Sequence, residues 1–260
     1  FENIIINYAN PMKNKNHTNG LFLMQTLLVP FALALMMSPL ANSKEILAEF
    51  EPMDVFELEW ATDPRVSPNG KTIVYVRKSN DIMKDRERSN LWQVSLDGTD
   101  HRPLYSGLNS IKSPRWSPNG KKLAFVSNDT GSQQIHVRWL DNGETALISQ
   151  LQASPSNLSW SPDGKWLAFT MNVKAPSEVI AETRTKPEGA TWAKGPITVT
   201  TTQYQYDGQG IVEPSYRHVF IVPADGGTAR QLTEGNFNHY GSLAWSSNSD
   251  RIFFSAYRSD

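Results

Sequence analysis

The chain has 260 residues, a formal net charge of −1 and no cysteine. That length holds one large domain or two small ones, and a hydrophobic content of 39% supplies enough apolar material for a core. The near-neutral charge gives no electrostatic case for nucleic acid or an anionic membrane as the main partner. The lack of cysteine excludes disulfides, cysteine-ligated zinc, iron–sulfur clusters and a thiol nucleophile from this chain. Eight Trp, eight Tyr and eleven Phe beside 16 Pro favour a β-rich fold with many tight turns.

At the amino end, residues 1–11 read as an upstream extension, because Met12 makes the better start. Lys13-Asn14-Lys15 is a short positive region, and Leu21 to Met37 is almost wholly apolar, broken by Gln25 and Thr26. Ala41-Asn42-Ser43 then places small residues at the two positions a signal peptidase reads. Positive, apolar, small-x-small is the order of a secretory signal peptide, so residues 12–43 are expected to be removed on export. The apolar run approaches the roughly 20 residues that cross a bilayer, so an uncleaved anchor is the alternative. Pro30 and the cleavage site favour removal. The mature protein is then periplasmic or secreted, with no membrane contact after cleavage.

From residue 52 onward an internal repeat sets the architecture. Residues 63–77 read DPRVSPNGKTIVYVR, 113–127 SPRWSPNGKKLAFVS, 157–171 NLSWSPDGKWLAFTM and 242–256 SLAWSSNSDRIFFSA. The turn serines are Ser67, Ser117, Ser161 and Ser246. In each copy a strand ends at Val66, Trp116, Trp160 or Trp245. A tight turn follows, in which Pro fixes the first corner, Asn or Asp suits the second and Gly takes the position needing positive φ. The next strand, such as Leu123-Ala124-Phe125-Val126, is apolar on both faces and must be covered on both. Stacked propeller blades provide that cover.

Each unit continues into a hairpin. Leu91–Leu96 meets Asp97-Gly98, Ile135–Leu140 meets Asn142-Gly143, and His218–Val222 meets Asp225-Gly226-Gly227. Asp-Gly and Asn-Gly are strong hairpin signals. One unit is therefore four strands in roughly 40–50 residues, the size of a propeller blade. The fold expected for 52–260 is all-β: the N-terminal part of a β-propeller, about three and a half blades of a ring of about seven. A β-sandwich with similar hairpins is the alternative. Open first and last blades would expose strand edges and invite aggregation. The stretch 172–216 is an insertion inside the third blade, rich in Pro, Gly, Thr and charge and carrying Trp192, Tyr204 and Tyr206. Long loops on rigid scaffolds are often functional. A decorative hairpin, with Tyr204 and Tyr206 packed locally on one face, is the other reading.

No G-x-S-x-G elbow, H-E-x-x-H, P-loop or G-x-G-x-x-G occurs. No catalytic, cofactor-binding or metal-binding residue is therefore assigned. After the leader the histidines are His101, His136, His218 and His239. His136 and His218 fall in expected strands as packed residues, and His101 and His239 fall in loops. Asp97 and Asp100 beside Gly98 suggest a calcium loop, but the twelve-residue pattern with its terminal Glu is missing. The run Lys84-Asp85-Arg86-Glu87-Arg88 reads as a solvated loop between strands.

The repeats resemble the WD40-like propeller repeats shared by the TolB periplasmic protein and the prolyl oligopeptidase family of serine peptidases. Trp116-Ser117-Pro118-Asn119-Gly120-Lys121 and Trp160-Ser161-Pro162-Asp163-Gly164-Lys165 carry that resemblance. Three further stretches look like the acylaminoacyl-peptidase branch of the peptidase family: Asp207-Gly208-Gln209-Gly210, Arg217-His218-Val219-Phe220 and Gly226-Gly227-Thr228-Ala229-Arg230-Gln231-Leu232-Thr233. The resemblance covers roughly residues 52–260. Gln205 stands where that branch often has Arg, Ile211 where it has an aromatic, and Ser247 and Ser249 replace the Pro and Gly of the fourth turn. TolB fits less well, because it carries an α/β domain before its propeller, and only about twenty residues separate the leader from the first blade here.

The resemblance implies a parent protein in which an α/β-hydrolase domain follows the propeller. Its Ser, Asp and His would cleave short peptides near the amino terminus, in the acylaminoacyl- or dipeptidyl-peptidase manner, without cofactor or metal. Those residues would lie beyond Asp260, so this chain alone is expected to hydrolyse nothing. The propeller would cap the active site and admit only short peptides. A non-catalytic TolB-like periplasmic propeller that binds proteins is the alternative, and an exported module that binds sugars or peptides is a third reading.

Overall fold

The computed structural model describes residues 50–258 except 108–109, 176–184, 194–198, 200–201, 203 and 209. The expected leader at 12–43 and the extension at 1–11 lie outside the described residues. The chain divides into two compact units between Asp54 and Val55. In the described end of the first, Asp54 accepts a hydrogen bond from the Glu51 N–H through Oδ2 at 2.8 Å.

The second unit is built from antiparallel sheets in chain order. Strands β1 (Glu59–Val66), β2 (Thr72–Asp81), β3 (Arg86–Ser95) and β4 (Arg102–Tyr105) form the first, each strand beside the next. Strands β5 (Ile111–Trp116), β6 (Lys122–Ser127), β7 (Gln134–Trp139) and β8 (Thr145–Leu147) form the second. The third uses β9 (Ser156–Trp160) and β10 (Trp166–Lys174). A short ribbon of β11 (Gln205–Tyr206) and β12 (Gly210–Ile211) intervenes before β13 (Ser215–Pro223) and β14 (Arg230–Gln231) complete that sheet, in the order β14-β13-β10-β9. Strands β15 (His239–Trp245) and β16 (Ile252–Ala256) pair as a separate two-stranded sheet. Strand β5 contacts β1, β2 and β3, β9 contacts β5, and β15 contacts β9, β10 and β13. The first strand of each sheet thus lies beside the first strand of its neighbour. This is a partial, unclosed β-propeller of three full blades and the first two strands of another, as the repeats imply.

The apolar alternation explains the stacking. In β6, Leu123 and Phe125 join Val74, Val76, Leu91 and Ile111 between the first two sheets. Ala124 and Val126 point the other way, into the core shared with Leu158, Trp160, Leu167 and Phe169. In β10 and β13, Ala168, Val219 and Ile221 face Leu243 of the following sheet. Strands β6, β10 and β13 each feed two cores, so an unpartnered polar group in place of their buried apolar residues is unfavourable on either face. Where the stack ends, apolar groups stay open: Val66 is 57% exposed and Phe253 59%.

The Ser-Pro turns share one hydrogen-bond scheme. Ser117 N–H donates to the Lys122 carbonyl at 2.9 Å and Gly120 N–H to the Ser117 carbonyl at 2.9 Å. Ser117 Oγ accepts from Lys122 N–H at 2.9 Å and donates to Asn119 Oδ1 at 2.8 Å. The same bonds recur around Ser67 and Ser161. Gly70, Gly120 and Gly164 hold φ of 70°, 68° and 69°, the left-handed region that the sequence assigns to them. In the fourth turn Ser249 takes that position at φ 63°. Asp250 rather than Asn248 accepts the serine hydroxyl, at 2.8 Å, and Ser249 Oγ accepts from Asp163 N–H of the preceding turn at 3.1 Å. The degenerate turn is held by its neighbour.

The repeat tryptophans stitch sheet to sheet. Trp116 Nε1–H donates to the Arg65 carbonyl at 2.9 Å, Trp160 to Arg115 at 2.9 Å and Trp245 to Ser159 at 3.2 Å. Each acceptor is the residue just before the equivalent position of the preceding sheet. Each first strand also carries a bulge, with Asp63, Ser113 and Asn157 at positive φ in β1, β5 and β9. The bulge residues reach across as well. Asp63 accepts from Arg115 Nη1 at 2.8 Å, and Asn157 Nδ2 donates to the Gly241 carbonyl at 3.3 Å.

Candidate functional site

The connections sort to two ends of the sheets. Ser-Pro turns and Asp-Gly or Asn-Gly hairpins occupy one end. The β2–β3, β6–β7 and β10–β13 connections occupy the other, with the passages from each sheet to the next. The insertion belongs to this second end. Strands β10 and β13 stay paired from Trp166↔Pro223 to Lys174↔Ser215, so the connection covers 175–214, shorter at both ends than the boundaries 172–216. Ala175 N–H donates to the Pro214 carbonyl at 2.9 Å and closes its base, beside a Lys174–Glu213 ion pair. Within it, β11 and β12 meet at Asp207-Gly208, and Val212 N–H donates to the Tyr204 carbonyl at 2.8 Å. Tyr204 and Tyr206 are each 44% exposed and Trp192 is 52% exposed. The ribbon does not bury its tyrosines, so these rings remain open at the loop end.

At the same end, the second sheet carries a cavity of about 300 Å3 lined, among the described residues, by Asn128, Gly131, Ser132, Gln133, Leu151, Gln152, Ala153 and Ser154. Its walls are the β6–β7 turn and the passage from β8 to β9.

The histidines are structural or surface groups. His136 is buried and stacks on Phe125 with centroids 5.6 Å apart. Burial pushes its pKa down, against smaller upward pulls from its Gln134 carbonyl contact and Asp129. His218 is pushed down mainly by burial and further by His239; their rings are 5.3 Å apart. His239 differs from its expected loop: it opens β15, is 1% exposed and contacts the Arg217 carbonyl through Nδ1 at 2.9 Å. His101 lies on the outer face of the first sheet, 2.6 Å from Tyr75 OH through Nε2 and tilted against Trp92. Arg77 stacks over that Trp92 ring at 4.3 Å.

The remaining candidates are explained by the hairpins. Asp97 Oδ1 accepts from Thr99 N–H at 3.0 Å and Thr99 Oγ1 at 2.7 Å, and those bonds lower its pKa. Asp100 is held by Arg102 at 2.7 Å and by Gln93 Nε2. Both carboxylates serve the local turn. The run Lys84–Arg88 is not all loop. Arg86, Glu87 and Arg88 belong to β3, paired with Asp81, Asn80 and Ser79. Lys78 pairs with Glu87 at 2.9 Å. Charge alternation on an exposed strand end reads locally like a solvated loop. The turn serines make two or more hydrogen bonds each through Oγ, which fits a structural role and not a nucleophile. One further group escaped sequence reading: Tyr105 OH donates to Asp129 Oδ2 at 2.7 Å, and burial with that bond raises its pKa to about 12.

Comparison with known proteins settles the propeller. The family described as TolB beta propeller domain matches residues 70–260. This chain belongs to that family. Over 204 residues the TolB-type propeller is 28% identical to the Bacillus subtilis (strain 168) protein named uncharacterized peptidase YuxL, covering 78% of this chain and 30% of that protein. It is 32% identical over 78 residues to dipeptidyl-peptidase 5 of Porphyromonas gingivalis, covering 30% of this chain and 11% of that protein. The chain therefore spans less than a third of the length of these relatives. In solved structures, acylaminoacyl peptidase of Pyrococcus horikoshii superposes with a TM-score of 0.58 at 17% identity, over 82% of this chain and 30% of that one. That likeness shows the fold. Among the described residues no helix is long and apolar enough to cross a membrane.

Proposed function

We propose that this chain is the propeller portion of an exported serine peptidase of the prolyl oligopeptidase family, acting on short peptides in the acylaminoacyl- or dipeptidyl-peptidase manner. The observation that carries the reading is the peptidase relative aligned along 78% of this chain, while the alignment takes up 30% of the relative. The remainder of such a protein has room for the hydrolase domain. There a serine attacks the scissile carbonyl, a histidine moves its proton and backbone amides hold the oxyanion.

The propeller's part is steric. A stack of blades with doubly covered strands is rigid, and rigid walls exclude folded chains while admitting short ones. The insertion at 175–214 supplies contacts at the loop end, with Trp192, Tyr204 and Tyr206 open there. Export to the periplasm follows from the leader read at 12–43. Replacing residues 176–213 of the full-length enzyme by a short Gly-Ser link tests the gate. The expected result is a loss of discrimination between short and long peptides; an unchanged kcat/KM across peptide lengths refutes it. The family description favours one second reading, a non-catalytic periplasmic propeller that binds proteins. A fluorophosphonate probe that labels no serine in the full-length protein would support it.

A further inference from the structure

We infer that residues 233–239 form an acid-released strap, which ties the start of β13 to the start of β15 at neutral pH and lets go when the His218–His239 pair takes up a proton. The inference goes beyond the peptidase reading and does not depend on it. Its basis is the backbone of Arg217. On one side Arg217 pairs with Asn172 of β10, two residues from the Lys174↔Ser215 pair at the base of the insertion. On the other side β14 is short, with Gln231 and Arg230 opposite Phe220 and Ile221, and does not reach Arg217. Side chains of the strap fill the gap. Asn238 Oδ1 accepts from Arg217 N–H at 2.8 Å, and His239 Nδ1 meets the Arg217 carbonyl at 2.9 Å. Thr233 Oγ1 accepts from Val219 N–H at 2.9 Å. Buried backbone groups need partners, and here one of those partners is a side chain that can change its charge.

The two imidazoles lie 5.3 Å apart and are 4% and 1% exposed. A carbonyl only accepts, so the Arg217 contact puts the ring hydrogen of His239 on Nδ1. Its Nε2 is buried with no hydrogen-bond partner among the described residues, and Phe237 and Phe254 crowd the ring with centroids 5.2 Å away. A second proton on His239 would find no acceptor there. His218 Nδ1 is 3.3 Å from Thr233 Oγ1, and in a neutral ring it can accept the hydroxyl hydrogen. A charged ring carries hydrogen on both nitrogens, so Thr233 would face a second N–H beside that of Val219. Burial and then His239 push the pKa of His218 down, against a smaller upward pull from Glu234 in the strap. The nearby cations give no counter-ion: Arg217 lies over Tyr240 of β15 at 5.9 Å, and Arg258, beyond β16, over Phe237 at 4.5 Å. Strand β10 places Met171 opposite His218, and its one charged residue, Lys174, pairs with Glu213. Strands β9 and β16 carry no titratable side chain. A ring that charges more readily in the open state makes opening take up a proton. The closed strap is therefore favoured above about pH 6.5, the ordinary histidine value, and weakens as pH falls through it.

Amide hydrogen exchange tests the strap, on the whole chain at low concentration. Electron-transfer fragmentation gives single-residue rates, each divided by the intrinsic rate at its pH. The reporters are the Arg217 and Val219 N–H groups, which strap side chains hold directly. Between pH 7.5 and 5.5 their opening should rise by up to about tenfold, the gain for one histidine charged only in the open state. His218→Phe keeps a ring and removes the charge, and should abolish most of that rise. His136→Phe, in the second sheet, should leave it intact, because a local opening does not expose His136. Far-ultraviolet dichroism checks that both variants fold. No rise in the unsubstituted chain, a rise unchanged by His218→Phe, or one that His136→Phe removes equally would overturn the strap, the last by showing that these amides open only with the whole fold. A readout without variants is the His218 ring signal by NMR, which should titrate below 6.5; a midpoint at or above 6.5 contradicts the inference. Serine chemistry has no part in any of these readouts.

Discussion

Trp160→Phe isolates the stitch between the second and third sheets. The phenyl ring keeps most of the buried contact, so the change removes chiefly the indole N–H that donates to the Arg115 carbonyl at 2.9 Å. Trp160 is 8% exposed, so water does not readily replace the lost donor. Leaving a buried acceptor unsatisfied costs about 1–3 kcal/mol, and about 2 kcal/mol lowers Tm by roughly 4–8 °C for a domain of this size. The same change at Trp116 removes an equally short bond. That bond is solvent-exposed, so water can take over and the loss should stay near 0.5 kcal/mol. Trp245, bonded at 3.2 Å and half-buried, should fall between. Urea unfolding followed by tryptophan emission, at protein concentrations low enough to limit edge association, gives the ranking Trp160, Trp245, Trp116. Equal losses at Trp116 and Trp160, or a Trp160→Phe loss under about 0.5 kcal/mol, would refute the stitch as an energetic element.

Further outcomes follow from the turns and the buried rings. Gly164→Ala forces a side chain into the left-handed region at φ 69° and should cost about 1 kcal/mol. Ser249→Ala loses only its exposed bond to Asp163 N–H and should cost no more than about 0.5 kcal/mol by urea unfolding. The folded-state pKa values of His136 and His218 lie below the ordinary 6.5. The unfolded chain therefore binds protons first as pH falls, and stability drops from about pH 7 towards pH 5. The lowered carboxylates Asp97, Asp100 and Asp163 act only below their ordinary 3.8 and leave that window clear. Urea midpoints across it should flatten in the double variant His136→Phe, His218→Phe; an unchanged slope contradicts the assignment. The Tyr105 phenol should titrate near 12 by absorbance, and Asp129→Asn, which removes the facing carboxylate charge, should lower it only in part, because burial is the larger cause and persists.

The parts of the fold legible in the sequence were those set by local chemistry. Pro, Asn or Asp, and Gly at fixed offsets dictate turns whose dihedrals need no distant partner, and the strands end at Val66, Trp116, Trp160 and Trp245 as read. The alternation in Leu123–Val126 carried the two-sided burial because a strand shows each face every second residue. What escaped depends on distant groups. The indole of Trp160 finds its acceptor at Arg115 of another sheet, and nothing near Trp160 announces it. The bulges at Asp63, Ser113 and Asn157 are stabilised partly by neighbouring strands. His239, expected in a loop, has the turn-favouring Asn236, Asn238 and Gly241 close by in the chain, yet Phe237, Phe254 and His218 pack around its ring. The cavity behind Gln133 had no motif at all. Gln134 bridges its two walls, a turn and a passage that are separated in the chain.

The central claim is that these blades belong to a serine peptidase, and sequencing the reading frame past codon 260 tests it most directly. The account predicts further blades followed by a G-x-S-x-G elbow, with an Asp and then a His later in the chain. A frame that closes the propeller and stops would contradict it and leave a binding propeller in its place.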